Sequence, residues 1–335
     1  MTAPAAPALA ERSLRSPGRK RALRLPPYLV GGRVARQVAI LVAAIAALSF
    51  AGPLTKLSGM DPVAALTWRC GLGVPFLLLL APGDPPRRTI EARSLPSLLL
   101  GSLGFFGFVG LWSASFSYIA IGPSTMIVST SAVFTFLGDW ALTRCRFDWR
   151  KAVGVAIALA AVVPCVSASS SAAGTDASKG VLLSMGGAVC GSVFVLAVAH
   201  GRGEQGAAST WGAISVITAL MAGLWSCWHG VLLIGLSPMV LLMLLGLAVV
   251  PHCIGQGLVV VLAKEASPLL GVLAVVGETL GASVLAMVLF HEGMTLGLIV
   301  SVAGFGLGLA MIVRASSHPI PTQASCGDAG ADRES

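Results

Sequence analysis

Residues 98–106 read LLLGSLGFF and residues 242–250 read LMLLGLAVV, two hydrophobic stretches of similar sequence from which the architecture follows. Each copy is rich in leucine and is interrupted by a glycine, Gly101 in the first and Gly246 in the second, 145 positions apart. The two stretches therefore indicate one helical unit that occurs twice in the chain.

The register of the repeat continues on both sides of these stretches. Pro123 follows Gly101 by 22 residues, and Pro268 follows Gly246 by the same distance. Upstream, Trp68 and Trp211 lie 143 residues apart. Internal duplication of a hydrophobic helical unit is typical of transporters, in which two related bundles move against each other around a shared site.

The composition indicates an integral membrane protein. Hydrophobic residues make up 56% of the chain and charged residues 11%, whereas a soluble domain carries about 25% charged residues. The apolar runs lack the two-residue alternation of a membrane-spanning strand. In lipid a helix satisfies its own backbone groups, so we predict an all-α helical bundle.

Ten apolar runs are long enough to approach the ~20 residues that a membrane-spanning helix needs. They lie at about 37–57, 62–81, 96–118, 123–143, 151–167, 179–199, 209–228, 239–262, 268–290 and 295–313.

The positive charges predict the orientation of these ten helices. With the N-terminus in the cytoplasm, 19 of the 22 lysines and arginines fall on the cytoplasmic side. Lys56, Arg69 and Lys179 are the three on the other side. The rule that cytoplasmic loops are positive favours this orientation, with both termini in the cytoplasm of a multi-pass inner-membrane protein. The net charge of +8 then reflects the orientation of the chain in the membrane. The basic tail lies near anionic lipid and does not indicate a nucleic-acid partner.

Five spans in each half place the second copy in the opposite orientation, because five is odd. We therefore expect two inverted five-helix repeats. The predicted organisation is a basic cytoplasmic tail at 1–36, a first repeat at 37–167, a flexible linker at 168–178, a second repeat at 179–313 and a disordered cytoplasmic tail at 314–335.

Ionisable groups at membrane depth are candidates for function. Glu278 is the deepest acid, ten residues after Pro268 and twelve before Phe290. Desolvation disfavours its charged form, so it could titrate as a proton passes or pair with a cationic substrate. The alternative is a protonated carboxyl that hydrogen-bonds between helices.

The run PHCIGQG at 251–257 is a second candidate. His252 and Gln256 are four residues apart, hence on one helical face. Pro251 lacks the amide that would bond the carbonyl of Leu247, which predicts a kink at mid-depth. An interrupted helix there is the usual sign of a transporter site, although a single buried histidine is often only a core residue.

Two further side chains in the first half are candidates. Arg69 lies about 10 Å into its helix. It has either a structural role, in which the side chain snorkels to the surface, or a functional one, in which it binds a substrate carboxylate through two hydrogen bonds. Trp112 is predicted to line the substrate pocket.

Enzymatic chemistry finds little support. His291 and Glu292 begin an HExxH motif, but position 295 is threonine, so the second metal ligand is missing. The intramembrane acids are isolated, the seven cysteines form no metal-ligand spacing, and no phosphate-binding motif occurs. We predict no catalytic residue, no metal and no cofactor. A sensor that does not transport stays an alternative, and an intramembrane enzyme is a weaker one.

Four segments resemble the drug/metabolite transporter superfamily, in particular the ten-helix EamA-type exporters. They are SFAGPLTKLSGMDPVAALTWR at 49–69, VVPHCIGQGLVVVLAKEASP at 249–268, GETLGASVLAMVLFHE at 277–292 and TLGLIVSVAGFGLGL at 295–309. Three positions depart from the family pattern: Thr279 stands for a proline, Asp139 for a glutamate and Ser301 for a glycine.

This resemblance implies a central cavity lined by both repeats and a small-molecule substrate. Together the residues and the resemblance predict a secondary active transporter that exports a small metabolite, an amino acid or an amphipathic compound, by alternating access. Membrane lipid surrounds it, and proton coupling and a homodimer are both compatible with the pattern.

Overall fold

The computed structural model is helical throughout the residues that it describes. These are residues 27–80, 92–143, 149–172, 176–201, 206–231, 233–265, 268–291 and 295–317. Two units separate at Arg36. The described part of the first, residues 27–36, is the beginning of a helix, and the helical bundle lies in the second unit, whose described residues run from 37 to 317.

Thirteen α-helices and one π-helix carry the described architecture. They are α1 (Pro27–Leu48), α2 (Ala51–Ser58), α3 (Pro62–Leu80), α4 (Leu95–Ser115), α5 (Ile121–Val128), α6 (Ser131–Thr143), α7 (Trp149–Ala172), α8 (Ala177–Ala199), α9 (Ala207–Trp228), α10 (Pro238–Leu247), the π-helix (Ala248–Gln256), α11 (Gly257–Glu265), α12 (Pro268–Phe290) and α13 (Leu296–Ser317).

Six stretches among the described residues are long and apolar enough to cross a membrane. They are Ala35–Ser58, Leu95–Ser115, Ile121–Thr143, Ala177–Ala199, Ala207–Trp228 and Pro238–Lys264. Shorter apolar helices occur at Ala152–Pro164, Gly277–Phe290 and Leu296–Gly308.

Two of the predicted spans are interrupted. The first turns at Ser49 and Phe50, because Pro53 has no amide to donate to the carbonyl of Ser49. The fourth turns at Ser129 and Thr130, whose hydroxyls donate to backbone carbonyls four and three residues earlier, at 2.9 and 2.7 Å respectively. Such local bonds offer the backbone an alternative to the regular helix.

Helices extend into three segments that the sequence assigned to tails and linker. α1 begins at Pro27, ten residues before the predicted span, and α13 continues to Ser317. α7 continues to Ala172 and α8 begins at Ala177, so most of the predicted linker at 168–178 is helical. Residues 1–26 and 318–335 lie outside the described residues.

Close packing of antiparallel neighbours builds the bundle. α4 and α8 run in opposite directions, since Gly201 meets Ser97 at one end and Gly180 meets Tyr118 at the other. A Cβ at Gly104 would lie 2.7 Å from the backbone nitrogen of Phe194. Glycine therefore permits backbone-to-backbone approach here, as is common between helices in lipid.

α7 and α13 form a second antiparallel pair at a GxxxG motif made by Gly304 and Gly308. A Cβ at Gly304 would lie 2.8 Å from that of Ala161, and a Cβ at Gly308 would lie 2.5 Å from the carbonyl oxygen of Gly154. Glycine at these two positions thus permits the close approach of the two helices.

Candidate functional site

The four ionisable or amide side chains selected from the sequence are all buried. Arg69, His252, Gln256 and Glu278 expose between 0 and 3% of their surface. They come from three elements: α3, the π-helix and α12. We call these four residues the polar cluster.

Arg69 is held in the interior of the bundle with part of its guanidinium unpaired. Its Cζ lies 5.9 Å from the centroid of the Phe105 ring. Neither Nε nor Nη1 has a hydrogen-bond partner among the described residues. At 1% exposure the side chain does not snorkel to the surface, so that part of the sequence interpretation is wrong, because the guanidinium lies inside the bundle against the Phe105 ring.

The predicted kink at Pro251 takes the form of a π-helix from Ala248 to Gln256. Proline in mid-helix removes one amide of the α-helical pattern, and wider π turns inside α-helices are frequent at functional sites. His252 and Gln256 both lie in this segment. His252 Nδ1 and Gln256 Oε1 are buried and have no hydrogen-bond partner among the described residues.

Glycine at position 73 brings the π-helix against α3. A Cβ there would lie 2.5 Å from His252 Cδ2, and the thiol of Cys253 donates to the Gly73 carbonyl at 3.3 Å. Arg69 is four residues before Gly73, on the same face of α3. The imidazole of His252 therefore neighbours the guanidinium, and the two interact electrostatically.

Hydrogen bonds from α9 fix the orientation of His252. Trp211 Nε1 donates to the His252 carbonyl oxygen at 3.1 Å, and Ser215 Oγ lies 3.1 Å from His252 Nε2. The Ser215 hydroxyl donates to the Trp211 carbonyl at 2.8 Å. Because that hydrogen is used, Ser215 accepts from Nε2–H, and Nδ1 of the neutral ring is left as an acceptor.

Aromatic rings surround the guanidinium and the imidazole. The Phe105 ring lies 5.0 Å from Trp211, 5.2 Å from Phe194 and 5.9 Å from His252 between centroids. The Trp211 and His252 centroids are 4.7 Å apart. One side of the polar cluster is thus a wall of apolar rings.

Glu278 supplies the opposite charge from α12. It is 3% exposed and is attracted electrostatically by Arg69, yet the unpaired Nε and Nη1 of Arg69 do not bond to it. The glycines on either side pack against α1: a Cβ at Gly277 would meet Ile45 and one at Gly281 would meet Ser49. This close approach sets the depth of the carboxyl in the bundle.

Trp112 belongs to a different environment. It is 3% exposed, its Nε1 donates to Thr125 Oγ1 at 3.3 Å, and its ring lies 4.9 Å from Phe116. These contacts differ from those of the polar cluster. Trp112 reaches the aromatic wall only indirectly, since Phe108 lies 6.3 Å from Trp112 and 6.2 Å from Phe105.

Sequence reasoning missed the residues of α9 and α4 that hold the site together. Trp211 served only as a marker of the repeat, and Phe105 and Ser215 were not selected. Trp211 and Ser215 are four residues apart on one helical face, a spacing that points to a shared neighbour. Nothing in the sequence identifies that neighbour as His252.

Two charged contacts lie near helix ends, away from the polar cluster. Asp139 Oδ1 on α6 is 3.1 Å from His200 Nε2, just after α8. Lys56 Nζ on α2 is 4.8 Å from the centroid of the Phe290 ring, at the end of α12. No group of three or more histidines, cysteines or acids suited to a metal ion occurs among the described residues.

Comparison with known proteins identifies the first half of the chain. Residues 36–166 match the EamA-like transporter family. This stretch is an EamA domain of the drug/metabolite transporter superfamily. The family is one of transporters and not of enzymes. With its long apolar helices, the chain is a multi-pass membrane protein.

Solved structures share the fold beyond the EamA domain. One crystal structure of a protein aligns with a TM-score of 0.64 over 84% of this chain and 98% of its own length, at 19% identity. At that identity the likeness shows the fold alone. No curated protein matches the chain in sequence.

Proposed function

We propose that this protein is a secondary active transporter that exports a small metabolite by alternating access, with the substrate bound at the polar cluster. The observation that carries the proposal is the burial of Arg69, His252, Gln256 and Glu278 among apolar helices, with atoms of three of them unpaired. An unpaired buried polar atom is costly. A substrate that bonds these atoms recovers part of that cost.

The helix pairing supports two inverted repeats. Let α1–α7 form the first five spans and α8–α13 the second five, so that each span of the first repeat has a counterpart five spans later. The second, fourth and fifth spans then pack on their own counterparts: α3 packs on α9, α5 on α12 and α7 on α13. The third span packs on the sixth through α4 and α8. Its counterpart pair, the eighth and first spans, meets where Gly255 contacts Leu48. A two-fold relation between the halves produces this pairing.

The contacts of Lys56 and Asp139 lie at opposite ends of the bundle. α5 and α12 are antiparallel, since Gly122 lies near Ser283 and Ser129 contacts Thr279. Asp139, further along the same span as α5, is therefore near the start of α12, whereas Lys56 lies at its end. Both contacts join the first repeat to the second. In an alternating-access cycle one opens while the other holds.

The substrate class that these groups fit is an amino acid or another amphipathic compound. Arg69 and Glu278 provide opposite charges, and Phe105, Phe194 and Trp211 provide an apolar surface. A proton carried by Glu278 would couple transport to the proton gradient. A charged carboxyl is costly at this depth, so Glu278 is expected to bind a proton whenever no cation balances its charge. On the positive-inside pattern we propose that the protein lies in the inner membrane with both termini in the cytoplasm.

A metabolite-resistance screen on an overexpressing strain, followed by uptake of the scoring compounds into everted vesicles, tests the proposal. We expect at least one compound to accumulate in vesicles that contain the protein and not in vesicles from the parent strain. If compounds score in cells but no vesicle accumulates them, the protein is a sensor and the transport proposal is wrong.

A further inference from the structure

The unpaired atoms of the polar cluster define the chemistry of the ligand more narrowly than the proposed function does. Arginine has five N–H donors and stays protonated in proteins. Nε carries one of these and Nη1 carries two, so three donors of Arg69 lack a partner among the described residues. Each of them requires an acceptor.

The two other unpaired atoms of the cluster are acceptors. His252 Nδ1 is an acceptor because Ser215 fixes the proton on Nε2, and Gln256 Oε1 is a carbonyl oxygen. Both lie on the π-helix, and His252 packs on the face of α3 that carries Arg69. A complementary ligand thus presents an acceptor to Arg69 and an O–H or N–H donor to the π-helix.

The charge of the site indicates a monoanionic acceptor. Among the described residues, Arg69 is the only buried lysine or arginine. Burial disfavours the charged form of Glu278, and with that carboxyl protonated the single cation balances one negative charge on a ligand, which fits a carboxylate better than a dianionic phosphate. Carboxylate geometry also matches the planar guanidinium, which binds it through two parallel hydrogen bonds.

We propose that the site binds a carboxylate through Arg69 and a hydrogen-bond donor on the same ligand through His252. The inference rests on the proposed function, since it names the substrate class of that site. It excludes organic cations and compounds that lack a carboxylate as preferred substrates. In this arrangement Arg69 is a binding residue and Ser215 positions the imidazole.

The proposal is tested by measuring the Tm of the purified protein with each of three small probes that all contain a phenyl ring. 3-Phenyllactate carries the carboxylate and the hydroxyl, 3-phenyllactamide lacks the charge, and 3-phenylpropionate lacks the hydroxyl. We expect 3-phenyllactate to raise the Tm and 3-phenylpropionate to raise it less. We expect the amide to bind at least about tenfold more weakly than 3-phenyllactate, because it loses the hydrogen bonds between two charged groups, which are the strongest in the site.

Two variants separate binding from a structural role. Arg69→Met keeps the length and removes the charge. We expect it to lose the Tm response to 3-phenyllactate while its ligand-free Tm equals or exceeds that of the wild type, because an unpaired buried charge is unfavourable. Arg69→Lys keeps the charge without the planar fork, and we expect it to restore part of the response.

The proposal is overturned if the amide stabilises the protein as well as 3-phenyllactate does, if neither carboxylate raises the Tm, or if Arg69→Met responds like the wild type. A lower ligand-free Tm of Arg69→Met with an intact response would assign Arg69 to structure. Failure of this proposal and failure of the transport proposal give different results. If carboxylates bind through Arg69 but vesicles take up nothing, the transport proposal is wrong and the binding site stands. If vesicles take up compounds without a carboxylate, and Arg69→Met does so equally well, the transport proposal stands and the carboxylate site is wrong.

Discussion

Ser215 Oγ lies 3.1 Å from His252 Nε2 and decides which nitrogen of that ring carries the proton. The Ser215 hydrogen is already donated to the carbonyl of Trp211. His252 is therefore held as a neutral acceptor toward the polar cluster. The orientation of a residue in the π-helix thus depends on a hydroxyl of α9.

Ser215→Ala removes this constraint. We expect the free energy of unfolding to fall by about 1 kcal/mol, because Nε2–H is left buried and unpaired, and we expect the transport KM to rise. Ser113→Ala is the matched control, since its hydroxyl is buried without a partner among the described residues. Equal effects of the two variants on KM would contradict the role assigned to Ser215.

Gly73→Ala moves the imidazole directly. The new Cβ would lie 2.5 Å from His252 Cδ2, so the ring must shift away from α3. We expect transport to fall at least several-fold with the protein still folded. Gly71→Ala, on the same helix with nothing within 4 Å of its Cβ, controls for the change in backbone freedom and should transport normally. Normal transport by Gly73→Ala would mean that the position of His252 does not matter.

Gly308→Ala tests the packing of α7 on α13. Its Cβ would lie 2.5 Å from a backbone oxygen and 2.7 Å from a backbone nitrogen, neither of which can move without shifting a helix. We expect a loss of about 1–3 kcal/mol of stability, typical of overpacking, measured by denaturant unfolding. Gly306→Ala has open space around its Cβ and should lose little. Similar stabilities would show that the two helices do not depend on this close approach.

Glu278→Gln tests proton coupling. The amide keeps the shape of the carboxyl and cannot exchange a proton, so we expect the pH dependence of transport in proteoliposomes to flatten. Asp176→Asn, which neutralises an exposed acid next to α8 that pairs with Lys179, should keep the wild-type dependence. An unchanged pH profile in Glu278→Gln would rule out this carboxyl as the proton carrier.

The sequence predicted the elements well because lipid imposes simple rules on a spanning helix. Except at the start of α1, apolar runs located the helix ends to within a few residues. The breaks at Ser49 and Ser129 were missed, because they depend on one proline and on local hydroxyl bonds that leave the apolar character of the whole run unchanged. The helical extension beyond 167 was missed because small polar residues are also typical of linkers.

The polar cluster was predictable residue by residue but not as an arrangement. Burial cost alone selects Arg69, His252 and Glu278 as exceptional in apolar helices. Their mutual placement depends on Gly73 and on the π-helix, and neither feature has a reliable signature in one sequence. The environment of Trp112 was not predictable either. In the sequence, an aromatic residue in a glycine-rich helix looks the same whether it lines a pocket or contacts another side chain such as Thr125.

Counterflow in proteoliposomes, measured with a compound from the resistance screen, is the direct test of substrate binding at the polar cluster. Vesicles with purified wild-type protein, preloaded with the unlabelled compound, should transiently accumulate the labelled form. The variant His252→Ala/Gln256→Ala should not, whereas Ser226→Ala, which removes another buried and unpaired oxygen, should match the wild type. Accumulation by the double variant equal to that of the wild type would contradict the claim that the polar cluster carries the substrate.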